Sequence, residues 1–440
     1  MTSPQHAPVA PGASADLNDI ISCISGYDPN AMTVEQARRV ILDFITPVAT
    51  VEKLALRSAL GRVLARDIVS HIDVPAHDNS AMDGYALRGE DMTEGDLRLA
   101  VIGEVHAGDR FAGQVGPGQC VRIMTGAPMP EGCDTVIPQE LTVAADDQSI
   151  TIPAGRVRRG DNRRLRGEDL ARDSIALARG KRLRPADIGL LASLGMAEVA
   201  VLRRPRVAFF STGDELRSVG EPLDPGCVYD SNRYTLHGML TRLGCEVIDM
   251  GVVGDDPAAL EAAFRSACEQ ADVVITSGGV SVGAADYTKQ IMASLGEMLF
   301  WKISMRPGRP LAFGRIASQG RQAYLFGLPG NPVAVTVSFY IFVRDALMRL
   351  SGADDAPLPR LRVASASTIR KKPGRTEYQR GILAPNPDGD GLWSVRLTGT
   401  QGSGILRSMS QANCLIELEH ERGEVAAGEA VSVILFDGLV

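Results

Sequence analysis

Carboxylates, cations and glycine turns recur at the ends of strand-like runs in this 440-residue chain. The segment TSGGVSVGAADYTK (276–289) follows an apolar run, ADVVITSGG (271–279). In an open α/β sheet, ligands bind beyond the carboxyl ends of the strands. Gly278 and Gly279 allow close backbone approach there, and Ser277, Ser281 and free N–H groups can hold an oxyanion or a ring edge. Asp286 stands where the next helix should start, so a plain strand–helix turn with an N-cap Asp is the simpler reading of this segment alone. STGDEL (211–216) and GVVGDD (251–256) end two further runs and bring Glu215 and Asp255 to the same edge. Glu215, Asp255 and Asp286 on one edge repel unless a cation or basic group offsets them. An oxygen-rich set of this kind suits Mg²⁺, which keeps several waters and bridges to substrate phosphates.

The cations come next. WKISMRPGRP (301–310) carries Lys302, Arg306 and Arg309. Read as a strand, even separation puts Lys302 and Arg306 on one face, where they would bind an anion. GLPGNP (327–332), with Gly330, Asn331 and Pro332, resembles an anion nest before a helix. Near the C-terminus, Arg380 in GRTEYQRG and Ser403 in TGTQGSGILRSM are donors, and Arg is favoured for tetrahedral oxyanions. DNSAMDGYAL (78–87) offers Asp83 as an exposed acid, and the Thr125-Gly126-Ala127-Pro128 turn presents a hydroxyl. The six His show no zinc spacing, and neither a GxSxG elbow nor a Walker A loop occurs.

The elements that hold these residues are legible in the periodicity. RVAFFST (206–212), CEVIDMGVV (245–253), ADVVITSGG (271–279), LFWKISM (299–305) and QAYLFGLPG (322–330) read as strands. They alternate with helices from Ser231 to a stop at Gly244, from the Asp256-Pro257 cap, and from Pro332 to Leu350. That alternation predicts a doubly wound parallel sheet covered on both faces. Residues 51–170 change to short β-like runs broken by Gly, Pro and Asp, a β-rich insert. A helix from Thr33, with Gln36 in capping-box spacing, precedes the insert. Residues 185–196 follow it as a second helix and are the expected partner of the first. Residues 360–440 return to short strands, a small β-barrel or sandwich. The expected domains are a mobile extension at 1–28, a discontinuous helical linker domain at 29–50 and 172–204, the insert at 51–171, the α/β domain at 205–353 and a C-terminal β-barrel at 354–440.

Composition excludes several classes. The net charge of −7 rules out a global basic footprint for nucleic acid, and no apolar run is long enough to span a membrane. Seven scattered Cys without a CxxC, and no signal peptide, predict a reducing, cytoplasmic setting. Gly and Pro together are about one residue in six, a modest excess that predicts many turns.

DNSAMDGYA, IMTGAPMPEGCD, NRRLRGED, STGDEL, VYDSNR, TSGGVSVGAADYTK, PGRP, GLPGNPVA, EYQRG and TGTQGSG follow one another in the order seen in the molybdopterin molybdenumtransferases, to which the carboxy-terminal part of gephyrin also belongs. The resemblance covers roughly residues 30–440. It implies insertion of molybdate into adenylylated molybdopterin with release of AMP, a Mg²⁺ dependence, and a four-domain homodimer with an active site shared between subunits. It also implies an α/β domain similar to the molybdopterin adenylyltransferase fold, and contact with that adenylyltransferase is a further expectation. Carried over by motif, Asp83 and Thr125 would come from the partner subunit. Glu215, Asp255 and Asp286 would form the acidic, Mg²⁺-holding set, Lys302 and Arg306 the basic pair. Arg380 and Ser403 would lie at the molybdate site, with Ser277, Gly278, Gly279, Ser281, Gly330, Asn331 and Pro332 around the pterin. Arg306 and Arg309 stand where the family often has Lys, which keeps the charge and adds a planar fork. An adenylyltransferase, or a non-catalytic scaffold like gephyrin, is the competing reading.

Overall fold

The computed structural model describes residues 16–146, 148–279, 286–354, 358–386 and 392–436. Two compact units emerge. One comprises Met1–Lys53, Gly61–Val63 and Ala200–Val440, the other Leu54–Leu60 and Leu64–Val199.

The first unit is built on a six-stranded sheet. Its spatial order is Glu246–Val253, Arg206–Thr212, Val273–Ser277, Arg321–Leu328, Pro310–Ser318, Gly296–Lys302. Five strands run in one direction, and Pro310–Ser318 alone runs against its two neighbours. The sequence predicts a parallel sheet covered on both faces, and the reversed strand is an addition to it. The difference lies in the connection Gln319-Gly320, whose two residues both have positive φ. So short a loop can join only antiparallel neighbours, and this conformation matches the twist of a hairpin.

Alternation along the strands divides the core. Val207, Phe209, Ile275 and Phe326 face one layer, and Ala208, Phe210, Val274 and Leu325 face the other. The helix Ser231–Leu243, stopped at Gly244, covers the first face with Leu236, Met239 and Leu240. The helix Pro257–Gln270, capped by the Asp256 carboxylate on the Ala259 N–H, covers the second with Leu260 and Phe264. The run from Pro332 to Ser351 is helical throughout, with one wider π turn at Phe339–Val343. Because the first two connections lie on opposite faces, the chain order reverses between Arg206–Thr212 and Val273–Ser277. That switch point opens a crevice at their carboxyl ends.

Two expectations about the N-terminal region are corrected. Residues 16–28 are not an unstructured extension. Leu17–Ser22 is a helix capped by Asp16, Leu17 is buried, and Ile20, Ile21, Ile24 and Tyr27 pack on the same core. Their spacing is that of an amphipathic helix, although the preceding Pro- and Ala-rich residues obscure it. The helix Val34–Phe44 carries the expected capping box, with both Thr33–Gln36 bonds formed. Its apolar face, however, belongs to the core of the α/β sheet, where Phe44 meets Phe313 edge-on. Pro185–Ser193, the expected partner, falls in the other unit. Helical periodicity says that a face will be buried but not against what.

The C-terminal part of this unit is a closed barrel of five strands: Thr376–Pro385, Trp393–Leu397, Leu361–Ser365, Ala430–Leu435 and Cys414–Leu418. Met305–Arg306 adds a short parallel strand to Thr376–Pro385. The second unit holds another six-stranded sheet, ordered Thr135–Pro138, Gly84–Leu87, Gln119–Ile123, Leu97–Val105, Ser149–Ile152, Val143–Asp146. All seven Cys are free. Among the described residues no helix is long and apolar enough to cross a membrane.

Candidate active site

The crevice at the carboxyl edge is built from two glycine turns joined by one side chain. Ser277 ends its strand fully buried, and the Gly278 N–H donates to the Leu328 carbonyl at 3.1 Å. Gly278 and Gly279 have φ of 101° and 71°. A Cβ at Gly278 would lie 2.6 Å from the Thr212 carbonyl oxygen, and one at Gly279 would lie 2.9 Å from Thr288 Cγ2. Both positions therefore require glycine for space as well as for backbone angle. Gly330, after Arg321–Leu328, comes so close that a Cβ there would be 3.8 Å from Gly278 Cα. Asn232 Nδ2 binds both turns, donating to Ser277 Oγ at 2.8 Å and to the Gly330 carbonyl at 2.7 Å.

Sequence reading quoted VYDSNR but assigned no role to Asn232. A signal was present: positions 232, 236, 239, 240 and 243 form the buried stripe of Ser231–Leu243, and Asn is the polar member. Around this tie, several buried side-chain oxygens have no partner among the described residues: Ser211 Oγ, Thr212 Oγ1, Thr276 Oγ1, Thr288 Oγ1 and Asn232 Oδ1. Buried polar atoms in such a concentration mark a place where polar groups of a ligand or water complete the bonding. Asn331 precedes the helix Pro332–Ser338 without using its side chain as a cap. The Val333 N–H in the first turn of that helix donates to the Ser403 carbonyl at 3.1 Å, so Ser403 sits against the Gly330-Asn331-Pro332 turn.

The acidic set lies at the ends of two neighbouring strands. The Asp255 N–H donates to Asp214 Oδ1 at 3.1 Å. Asp255 remains open to solvent, yet partial desolvation, followed by the charges of Asp214 and Glu215, raises its carboxyl above the usual range. Asp214, which the sequence also puts at this sheet edge beside Glu215, is thus the acid in direct contact with Asp255. Asp286 opens the helix Asp286–Leu295 as expected, but its side chain and Ser281 lie outside the described residues. Among the described residues no three acidic, His or Cys side chains form a complete cage for a metal. A site with one or two carboxylates, the rest of the shell being water and substrate, needs no such cage and fits Mg²⁺.

The basic residues are arranged differently from the strand argument. Lys302 ends Gly296–Lys302, whereas Arg306 belongs to Met305–Arg306 in the barrel sheet. The chain turns between them, with the Ile303 N–H on the Arg309 carbonyl and the Met305 N–H on the Ile303 carbonyl. The two are not on one strand face, because the reversal at residues 303–305 interrupts the extended run between them.

Arg306 and Arg380 do meet. They line one cavity of about 310 Å³ with Arg370, Gln379 and Gln401. Arg380 is buried. Its guanidinium donates to Ser408 Oγ at 3.0 Å, to the Gly402 carbonyl at 2.9 Å, and more loosely to the Thr400 and Gln401 carbonyls at 3.4 Å. Gln401 closes the arrangement by accepting from the Arg380 N–H at 2.8 Å. Burial first, and the Arg306 charge second, bring the Arg380 pKa down to about 10. Arg380 thereby shapes the 399–403 loop that carries Ser403.

In the second unit, Asp83 and Thr125 are brought together as a pair. The Thr125 N–H and Oγ1–H both donate to Asp83 Oδ1, at 2.7 and 2.6 Å. These bonds hold the exposed carboxyl below its ordinary range. The Gly126 N–H on the Ser80 carbonyl fixes the two turns in register.

Residues 32–195 match the MoeA N-terminal region (domain I and II). Residues 208–349 match a probable molybdopterin binding domain, and 362–436 the MoeA C-terminal region (domain IV). The chain is similar to the molybdopterin molybdenumtransferase of Haemophilus influenzae, 42% identical over 410 residues, which cover 93% of this chain and 100% of that protein. The enzyme of the same name from a Nostoc species is 38% identical over 390 residues, 87% of this chain and 88% of the relative. The crystal structure of the molybdopterin biosynthesis moeA protein from Pyrococcus horikoshii OT3 superposes with a TM-score of 0.78 at 29% identity, covering 92% of this chain and 100% of that one.

Proposed function

The chain belongs to the molybdopterin molybdenumtransferase family, and from that premise we propose that it inserts molybdate into adenylylated molybdopterin, releasing AMP, in a Mg²⁺-dependent reaction. The observation that carries this reading is the pair of glycine turns tied by Asn232, with unpartnered buried hydroxyls beneath and an acidic edge beside them. Such a crevice suits a polar, anionic ligand that approaches the backbone closely. The Ser277-Gly278-Gly279 and Gly330-Asn331-Pro332 turns bind the pterin and its phosphates. Thr212 and Thr288 complete their polar contacts. Ser403, held against the second turn, faces the same ligand.

Glu215 and Asp255, with Asp286, would hold Mg²⁺. When bound, the ion supplies Lewis-acid polarisation of the phosphoanhydride. Partial desolvation, then the charges of Asp214 and Glu215, raise the Asp255 carboxyl, and a cation placed here would offset that like charge. Lys302 and Arg306 offset the charge of molybdate, a dianionic tetrahedral oxyanion, and Arg380 keeps the Ser403 loop in place. The reaction needs no covalent enzyme intermediate. Asp83 and Thr125 act from a second copy of the chain, in a cytoplasmic homodimer that receives its substrate from a molybdopterin adenylyltransferase.

The test is direct. The full-length chain is incubated with adenylylated molybdopterin, Mg²⁺ and molybdate, and AMP is followed. Molybdate-dependent AMP release is expected, and its absence refutes the reading. AMP transfer from ATP to molybdopterin without molybdate would favour the adenylyltransferase alternative.

A further inference from the structure

The cavity of about 310 Å³ is lined by three guanidiniums, and they are not equivalent. Arg380 has committed its Nε and both Nη to Ser408 and to the carbonyls of residues 400–402. Turning its fork toward a ligand would release the loop that it organises. Arg306 and Arg370 are exposed, and neither side chain has a hydrogen-bonding or acidic partner among the described residues. Glu377, the carboxylate on the cavity wall, is already engaged by Arg375 at 2.9 Å and by Gln379 at 3.0 Å. The cavity thus contains unneutralised positive charge with free, planar donor sets, the arrangement that binds tetrahedral oxyanions. Nearby Lys371 is excluded from this role, because its ammonium is buried on the carbonyls of Lys372, His420 and Arg422.

We propose that Arg370, together with Arg306, is the residue that grips the molybdate oxyanion through its guanidinium fork, and that Arg380 is a positioning residue for the loop bearing Ser403. The sequence reading passed over Arg370, which lies in a basic run, IRKKPGR, with nothing to separate one cation from its neighbours. The structure separates them: Lys371 turns inward, while Arg370 lines the cavity. This inference rests on the proposed molybdate chemistry and adds the residue that reads the anion.

The experiment is titration of full-length wild type, R370A and R370K with sodium molybdate, alongside steady-state kinetics in both substrates. R321A, which removes an equal charge from a residue that does not line the cavity, is the control. A charge-assisted pair has about twice the strength of a neutral one, so R370A is expected to weaken molybdate binding about tenfold or more. R370K, with charge but no fork, should fall between, and R321A should match wild type. KM for molybdate should rise, while KM for adenylylated molybdopterin stays unchanged. R370A within about twofold of wild type, or R370K indistinguishable from it, overturns the proposal. Should R370A fail to fold, as judged by circular dichroism, R370K decides alone. Wild type that neither binds molybdate nor releases AMP in response to it overturns the proposed function instead.

Discussion

Asn232→Ala removes the side chain that, among the described residues, binds both glycine turns. The amide donates at 2.8 Å to Ser277 Oγ and at 2.7 Å to the Gly330 carbonyl. Losing a hydrogen bond and stranding a buried partner costs about 1–3 kcal/mol. Ser277 is 1% exposed, so its oxygen has no water to turn to and the upper part of the range applies. Gly330 is exposed, so water can reach its carbonyl and the lower part applies. The sum is roughly 3 kcal/mol, on the order of a 100-fold loss in the population of aligned turns. The assay is molybdate-dependent AMP release under single-turnover conditions, with circular dichroism to confirm that the variant is folded. Asn232→Asp is the sharper variant, because it keeps the volume. Ser277 can still donate to the new carboxylate, but the Gly330 carbonyl then faces an acceptor. The Asp variant should therefore lose at least as much as a variant lacking only the Gly330 bond, about tenfold. A folded Asn232→Ala variant within threefold of wild type would refute the reasoning that this tie aligns the site.

Three further outcomes follow from the same geometry. Asp214→Asn should lower the Asp255 pKa, since it removes the leading like charge; a carbon-detected NMR titration of Asp255 that does not move would count against the cluster. Because the folded Asp255 pKa is raised above 3.8, its effect on stability turns unfavourable as pH rises through the folded value, so Asp214→Asn should gain most above that point. Asp83 has the opposite sign: its depressed carboxyl stabilises the Thr125 turn above pH 3.8 and loses that contribution as pH falls through the lower folded value, so Thr125→Val should raise the Asp83 pKa in the same NMR titration. Burial pushes the Cys120 and Cys414 thiols up to about 12 while Cys23 is exposed, so iodoacetamide at pH 8 should label Cys23 first and those two only on unfolding, as read by peptide mass spectrometry.

Much of this molecule is local and therefore legible in the chain. The caps at Thr33 and Asp256, the stop at Gly244 and the strand Arg206–Thr212 each depend on residues within a few positions of one another. The carboxyl-edge residues follow directly, because a strand that ends in Gly or Asp before a helix presents those residues at its end. The family membership was legible for the same reason: its motifs are short, contiguous and ordered.

Tertiary structure decided everything that depends on two distant segments meeting. Periodicity identified a buried face on Val34–Phe44 but could not choose its partner, since any apolar surface satisfies the pattern. Lys302 and Arg306 are four residues apart, yet a turn assigns them to different sheets, and spacing alone cannot distinguish an extended run from a reversal. Arg380 looked like a free donor until the carbonyls of residues 400–402 closed around it, while Arg370 looked like an ordinary surface cation until Lys371 beside it turned inward. Residue type determines what chemistry a side chain can do. Only the packing around it determines whether its donors are still free to do it.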